Sequence, residues 1–84
     1  MNNKLLVIIH VPSIEREFDL YMPIVKKVGA VKELIIKIVE KESDGIFQND
    51  GCKFLYDKIT GERIDDNIFV RDSNIRNGSK LVLY

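Results

Sequence analysis

Apolar and polar residues change their spacing along this chain of 84 residues, and the changes divide it into elements. Residues 5–11 are almost continuously apolar and rich in β-branched side chains, whereas residues 16–22 alternate between apolar and polar. Short runs of both kinds predict strands, and Pro12 between them predicts a break. Two strands joined by so short a connection predict an antiparallel hairpin.

One register of this hairpin gathers its apolar side chains on a single face. With Ile9 opposite Phe18, the other apolar residues of the two strands also face one another in pairs. The side chains left on the opposite face of the first strand are Leu6, Ile8 and His10. Because a slip of one residue would turn every side chain over, the apolar pattern specifies this register strongly.

After Pro23 the apolar residues recur at the spacing of an amphipathic helix. The stripe consists of Val28, Val31, Ile35, Ile38 and Val39, and the opposite face carries Lys26, Glu33, Lys37 and Lys41. No favourable N-cap residue precedes Val28, so the start of the helix is poorly defined. Gly45 predicts its end.

The remaining third of the chain predicts more strands. Residues 52–57 read as a third strand, and Ile64 marks a short apolar step after a turn. Residues 68–70 are expected to anchor a loop or a single helical turn, and residues 81–84 form a final strand. We expect a single domain, 1–84, that ends inside a strand and has no free tail to carry chemistry.

Composition and charge narrow the classes of protein. Thirteen basic residues balance thirteen acidic ones, so no net field favours nucleic acid or an anionic membrane. One cysteine suits a reducing compartment. The chain shows neither a signal-peptide pattern nor an apolar stretch approaching the ~20 residues that span a bilayer. We therefore expect a cytoplasmic protein without direct membrane insertion.

Candidate chemistry is sparse. His10 is the only histidine and Cys52 the only other soft ligand, and two such residues at unrelated positions do not make a zinc site. Paired carboxylates such as Asp65 and Asp66 fall in predicted turns, where aspartate binds its own backbone. We expect no catalytic, metal-binding or cofactor-binding residue, and hence a protein that is not an enzyme.

The order of the elements resembles that of the ubiquitin-like β-grasp fold. In particular, Ile75 precedes Leu81 by six residues, as a loop isoleucine precedes the last strand in ubiquitin. Residues 53–57, a turn and then Ile64 resemble the third and fourth strands of that fold. The resemblance implies an α+β fold with a mixed sheet of four to five strands packed on one helix.

Within that superfamily, two segments resemble the YukD-like family of type VII (WXG100) secretion systems. They are residues 18–23, Phe-Asp-Leu-Tyr-Met-Pro, and residues 75–83, an Asn-Gly turn followed by an apolar strand. The resemblance implies an accessory or regulatory component of such a system in a Gram-positive bacterium, acting as a protein-interaction module.

Two other classes of function stay open. Ubiquitin-like sulfur carriers and modifiers use the same fold, but they act through a C-terminal Gly-Gly, and here the last residues are Val82, Leu83 and Tyr84. A small structural subunit of a multicomponent enzyme would use the fold for permanent docking. The neighbouring genes would distinguish these three functions. Genes for WXG100 proteins and a membrane ATPase would support a role in secretion, whereas a gene for an adenylating enzyme or an oxygenase would support one of the other two.

The sheet face away from the helix is the candidate partner-binding surface. The hairpin register places two apolar residues there, and resemblance to ubiquitin adds three from the third and last strands. The predicted set is Leu6, Ile8, Leu55, Val82 and Tyr84, with Phe54 and Tyr56 turned inward. Contiguous exposed apolar patches are uncommon without a partner. We therefore expect a protein partner or self-association through this face.

Overall fold

One helix packs across one face of a four-stranded mixed sheet in a computed structural model of the protein, which describes residues 3–84. The elements are β1 (Lys4–Val11), β2 (Arg16–Pro23), α1 (Val28–Glu42), β3 (Leu55–Asp57) and β4 (Lys80–Leu83), with 3₁₀ turns at Pro12–Ile14 and Val70–Asp72. The order across the sheet is β2-β1-β4-β3. The first two residues of the predicted domain, 1–84, lie outside the described residues.

The predicted hairpin register is confirmed. Ile9 lies opposite Phe18 and His10 lies opposite Glu17 in the antiparallel pair of β1 and β2. On its other side β1 pairs in parallel with β4, which in turn pairs antiparallel with β3. The parallel pair at the centre makes the sheet mixed, as the β-grasp order implies.

Helix α1 begins without a side-chain cap, as its sequence predicts, because a distant loop binds its first amide groups. The Val28 N–H donates to the Ile68 carbonyl and the Gly29 N–H to the Asp66 carbonyl, both at 2.9 Å. These bonds satisfy amides that no turn of the helix can reach. At the other end, Gly45 has a positive φ of 84° and its N–H donates to the Glu40 carbonyl, which confirms the predicted stop.

The core lies between the helix and the inner face of the sheet. Its buried helical residues are Val28, Val31, Ile35, Ile36 and Val39. Ile38 was predicted to belong to this stripe, yet its side chain is 39% exposed, and Ile36 is buried instead. The helix is therefore rotated towards the flank that carries Lys32, whose ammonium binds Asp66.

The later elements exist where the sequence predicts them, with shifted bounds. β3 covers only Leu55–Asp57 of the predicted residues 52–57, and β4 is Lys80–Leu83 instead of residues 81–84. The residues predicted to anchor a loop lead into the 3₁₀ turn Val70–Asp72, where Val70 is fully buried.

The predicted orientation of β3 is wrong. Leu55 is fully buried in the core, where it lies opposite the buried Leu83, and Tyr56 lies opposite Val82 on the other face. Cross-strand partners share a face of the sheet, so β4 determines which way the side chains of β3 point. Because the segment from Phe54 to Tyr56 is apolar at every position, it carries no alternation from which its orientation could be read.

Candidate protein-binding surfaces

Four of the five residues predicted to bind partners lie on the outer face, by which we mean the sheet face away from α1. Leu6 and Ile8 on β1 and Val82 on β4 are half-buried there, and Tyr84 is 66% exposed. Leu6, Ile8 and Val82 alternate along their strands with buried residues of the inner face, and Tyr84 directly follows the buried Leu83 at the end of β4. The fifth, Leu55, belongs to the core.

Tyr56 takes the outer-face position for which Leu55 was predicted. It lies opposite Val82, and its ring meets that of Tyr84 edge to face, with centroids 6.5 Å apart and planes at 72°. The main chain of Tyr84 exchanges hydrogen bonds of 3.0 and 3.1 Å with Phe54, which holds the ring at the end of the sheet. We call Tyr56, Val82 and Tyr84 the tyrosine cluster.

An ion pair crosses the outer face and divides its apolar residues into two groups. Lys58 Nζ lies 3.4 Å from Glu17 Oε2, although Lys58 follows β3 and Glu17 belongs to β2 at the opposite edge. The bridge therefore passes over β1 and β4, between the tyrosine cluster and the pair Leu6 and Ile8. The predicted continuous patch is interrupted, but exposed pairs of this kind are worth only about 0–1 kcal/mol and open readily.

A cleft of about 330 Å³ lies between the turn after β3 and the segment 73–75, and several carboxylates line it. Two of them, Asp57 and Asp65, are bound to their own turns. Asp57 Oδ1 accepts the N–H groups of Ile59 and Thr60 at 2.8 and 3.0 Å, and Asp65 Oδ1 accepts that of Asn67 at 2.8 Å. The prediction that the paired turn aspartates bind their own backbone is confirmed for Asp65 and wrong for Asp66, whose Oδ2 lies 2.7 Å from Lys32 Nζ instead.

Residues 3–84 contain neither a cluster of metal-binding side chains nor a membrane-spanning helix. No three or more histidine, cysteine or acidic side chains gather where they could hold a metal ion. Cys52 is exposed, and His10 lies between Glu17 and Val82 on the neighbouring strands. In the same part of the chain, no helix has the length and apolar content needed to cross a bilayer.

Neither a protein-family model nor a curated protein matches the sequence. Solved structures do match the fold. The EccD5 ubiquitin-like domain from Mycobacterium xenopi has a TM-score of 0.79 at 12% identity, over 99% of this chain and 94% of that one. The ubiquitin-like domain of the Mycobacterium tuberculosis type VII secretion system protein EccD1 has a TM-score of 0.74 at 15% identity, over 99% and 98%.

A larger assembly contains the same fold. One chain of the ESX-5 inner membrane complex without MycP5 matches with a TM-score of 0.83 at 10% identity, over 99% of this chain and 21% of that one. Identities this low establish the fold alone. The protein thus has a ubiquitin-like β-grasp fold, close in shape to the ubiquitin-like domains of EccD proteins, and the predicted fold class is confirmed.

Proposed function

We propose that this chain is a non-enzymatic protein-interaction module that serves as an accessory or regulatory component of a bacterial type VII secretion system in the cytoplasm. Two independent lines support the proposal. Residues 18–23 and 75–83 resemble YukD-like sequences, and the fold matches ubiquitin-like domains of EccD proteins over almost the whole chain. Because fold alone does not determine function, the proposal depends also on the chemistry of the protein's surface.

The tyrosine cluster is the surface feature that carries the proposal. Tyrosine is enriched at the centres of protein interfaces, where a large ring is buried while its hydroxyl still finds a polar partner. The edge contact between Tyr56 and Tyr84 already restricts both rings, so binding costs them little conformational entropy. A partner that covers Tyr84 would therefore gain apolar contact at a prepared site.

Leu6 and Ile8 extend the proposed surface on the other side of the ion pair between Lys58 and Glu17. Exposed ion pairs open at little cost, so a partner that separates these two side chains gains access to the half-buried aliphatic residues beneath. Leu55 has no part in this surface, because no partner can reach a fully buried side chain without unfolding β3.

The experiment is an affinity purification of the chain from its native host, with quantification of the recovered secretion-system proteins. We expect Tyr84→Ser to reduce recovery by at least about five-fold, as removal of an interface tyrosine does. Ile46→Ser is the matched control, because Ile46 is an exposed apolar residue of the loop after α1. A thermal melt of both variants verifies that the fold is intact.

Two results would contradict the proposal. Recovery of proteins unrelated to secretion, lost with Tyr84→Ser, would keep the surface but remove the secretion role. Full recovery of the secretion proteins by the double variant Tyr56→Ser and Tyr84→Ser, with an unchanged melting temperature, would show that the tyrosine cluster does not bind them.

A further inference from the structure

The outermost strand, β2, has a free hydrogen-bonding edge. The Ile24 N–H donates to the Asn3 carbonyl, and bonded pairs recur at every second residue of an antiparallel ladder. The even-numbered residues of β2 therefore bond to β1, and the main-chain groups of Glu17, Asp19 and Tyr21 point away from the sheet. Within residues 3–84, no hydrogen bond of these amide or carbonyl groups closes this edge.

An apolar groove runs beside this edge, between β2 and α1. Its volume is about 110 Å³, and its lining includes Leu20, Tyr21, Leu34 and Ile38. Leu34 and Ile38 are 47% and 39% exposed, so the helix side of the groove offers apolar surface to solvent, whereas the Tyr21 side chain points to the outer face, opposite Leu6. Proteins often protect a sheet edge with inward-pointing charges, but on the inner face of β2 only Arg16, at the start of the strand, is charged, and Phe18, Leu20 and Met22 are apolar.

The charged residues around the groove indicate which charge a bound segment should carry. On a helix of 3.6 residues per turn, Lys41 and Lys37 lie about 20° and 60° from Leu34 around the axis, on the side away from Ile38, and Glu33 and Glu40 lie about 100° and 120° away on that side. Glu42 lies about 80° from Leu34 on the side of Ile38. The first charges beyond Leu34 are therefore positive, whereas Glu42 is an acidic residue beyond Ile38, and neither lysine forms an ion pair within the described chain.

A further cation marks one end of the groove. The Arg16 guanidinium, at the start of β2, donates to the Glu42 carbonyl at 2.8 Å, so the start of β2 meets the last turn of α1. Lys41 and the exposed Glu42 lie in the same turn, so this end of the groove carries two cations and one carboxylate. Acidic side chains of β2, Glu17 and Asp19, point to the outer face instead. Negative charge is thus favoured beside Arg16 and Lys41, and disfavoured on the outer side of the edge.

We propose that this groove binds an extended peptide segment of another protein, which adds to the edge of β2 as a fifth strand. Its main chain pairs with Glu17, Asp19 and Tyr21, and alternate aliphatic side chains enter the groove against Leu34 and Ile38. Acidic residues at one end of the segment meet Lys41 and Arg16. The groove lies at the edge of the sheet and not on its outer face, so this proposal and the one for the tyrosine cluster succeed or fail separately.

The probes are capped peptides of about ten residues, the length that a strand-addition site accommodates. One alternates valine and threonine and ends in aspartates, the second has the aspartates at its start, and the third carries lysines in their place. Titration followed by amide NMR gives the affinity, and hydrogen exchange of the complex gives the protected amides. We expect an aspartate peptide to bind and to protect the Glu17, Asp19 and Tyr21 amides.

Variants locate the contact. Lys41→Glu should weaken binding of the aspartate peptide by at least about five-fold and Leu34→Asp by at least about ten-fold, because one opposes its charge and the other buries a carboxylate. The matched controls, Lys80→Glu and Ile59→Asp, change exposed residues outside the groove and should leave the affinity within about two-fold. Tyr84→Ser should also leave it unchanged. Since Lys41 is exposed, its variant remains decisive if Leu34→Asp does not fold.

Three outcomes would overturn the proposal. The first is equal or tighter binding of the lysine peptide. The second is an absence of binding by both aspartate peptides, or binding without protection of the Glu17, Asp19 and Tyr21 amides. The third is concentration-dependent dimerisation that Leu34→Asp abolishes, since a second copy of the chain would then occupy the groove.

Discussion

The two flanks of α1 differ in the way that the fold treats their side chains. On the closed flank, Lys32 is largely buried, and its Nζ lies 2.7 Å from Asp66 Oδ2 and 4.7 Å from the centre of the Phe54 ring. On the open flank, Leu34 and Ile38 are apolar and yet remain partly exposed. The helix thus buries a charged residue on one side and exposes aliphatic residues on the other.

The connections between the elements explain this inversion. The long segment between β3 and β4 returns along the closed flank, where the Ile64 N–H donates to the Leu55 carbonyl and the Asp66 carbonyl accepts from Gly29. On the open flank, β2 connects directly to its neighbours through a short turn and the residues before α1. Within residues 3–84, no long connecting segment crosses that edge. Hydrophobicity alone therefore does not determine which side of an amphipathic helix is buried.

The largest effect is expected from a matched pair of leucines. Leu55→Ala removes a fully buried side chain and should lower the free energy of unfolding by about 2–5 kcal/mol. Leu34→Ala, on the open flank, removes a half-exposed one and should cost less than about 1 kcal/mol. Chemical denaturation of both variants measures the difference. Similar losses would mean that Leu34 is as well packed as Leu55 and that the open flank is closed in solution.

An intermediate effect is expected from the ion pair on the closed flank. Lys32→Met keeps the aliphatic stem but leaves Asp66 without its counter-charge, and Asp66 Oδ1 already lacks a hydrogen-bond partner within the described chain. We expect a loss of about 1–3 kcal/mol of unfolding free energy. Lys41→Met is the control on the open flank and should change it by less than about 0.5 kcal/mol.

Double-variant analysis sharpens this second comparison. If Lys32→Met and Asp66→Asn each destabilise the protein while their combination costs no more than one of them, the two side chains act as a pair. Additive losses would instead indicate that Lys32 stabilises the fold mainly through the Phe54 ring, and the closed flank would then depend on aromatic packing.

The smallest effect is expected from two arginines that contact aromatic rings, Arg16 at the start of β2 and Arg71 in the 3₁₀ turn Val70–Asp72. Arg16→Ala removes an exposed hydrogen bond to the Glu42 carbonyl and a contact with the Phe18 ring, 4.9 Å away, and should cost about 0.5–1 kcal/mol. Arg71→Ala removes a similar contact with the Phe69 ring at 5.0 Å without such a bond, and should cost less. Equal losses in denaturation would show that the bond to Glu42 contributes nothing measurable.

The accuracy of the sequence-based predictions follows the strength of the alternation in each segment. The hairpin was predicted residue by residue, because Phe18, Leu20 and Met22 alternate with polar neighbours. The orientation of β3 was predicted wrongly, because residues 54–56 are apolar throughout. The helix was predicted in part. Its apolar stripe was recognised, but the rotation about its axis that exposes Ile38 and buries Ile36 was not.

For the candidate surfaces, local pattern placed Leu6 and Ile8 on the outer face, whereas Tyr56 was missed. The pairing of β3 with β4 determines the position of Tyr56, and that pairing joins segments more than twenty residues apart. A register model of the two strands built on the buried Leu81 and Leu83 would have found it. The division of the face by Lys58 and Glu17 has no local signal, since these residues are 41 positions apart.

The sequence by itself therefore determined the elements and the hairpin register, since these depend on periodicity and turn chemistry between near neighbours. The class of fold followed from the resemblance of the element order to the ubiquitin-like β-grasp fold. Only the tertiary structure decided the orientation of β3, the burial of Lys32 and the free edge of β2. Each of these depends on which distant segment packs where, and long-range packing energies outweigh local preferences when an apolar run could face either way.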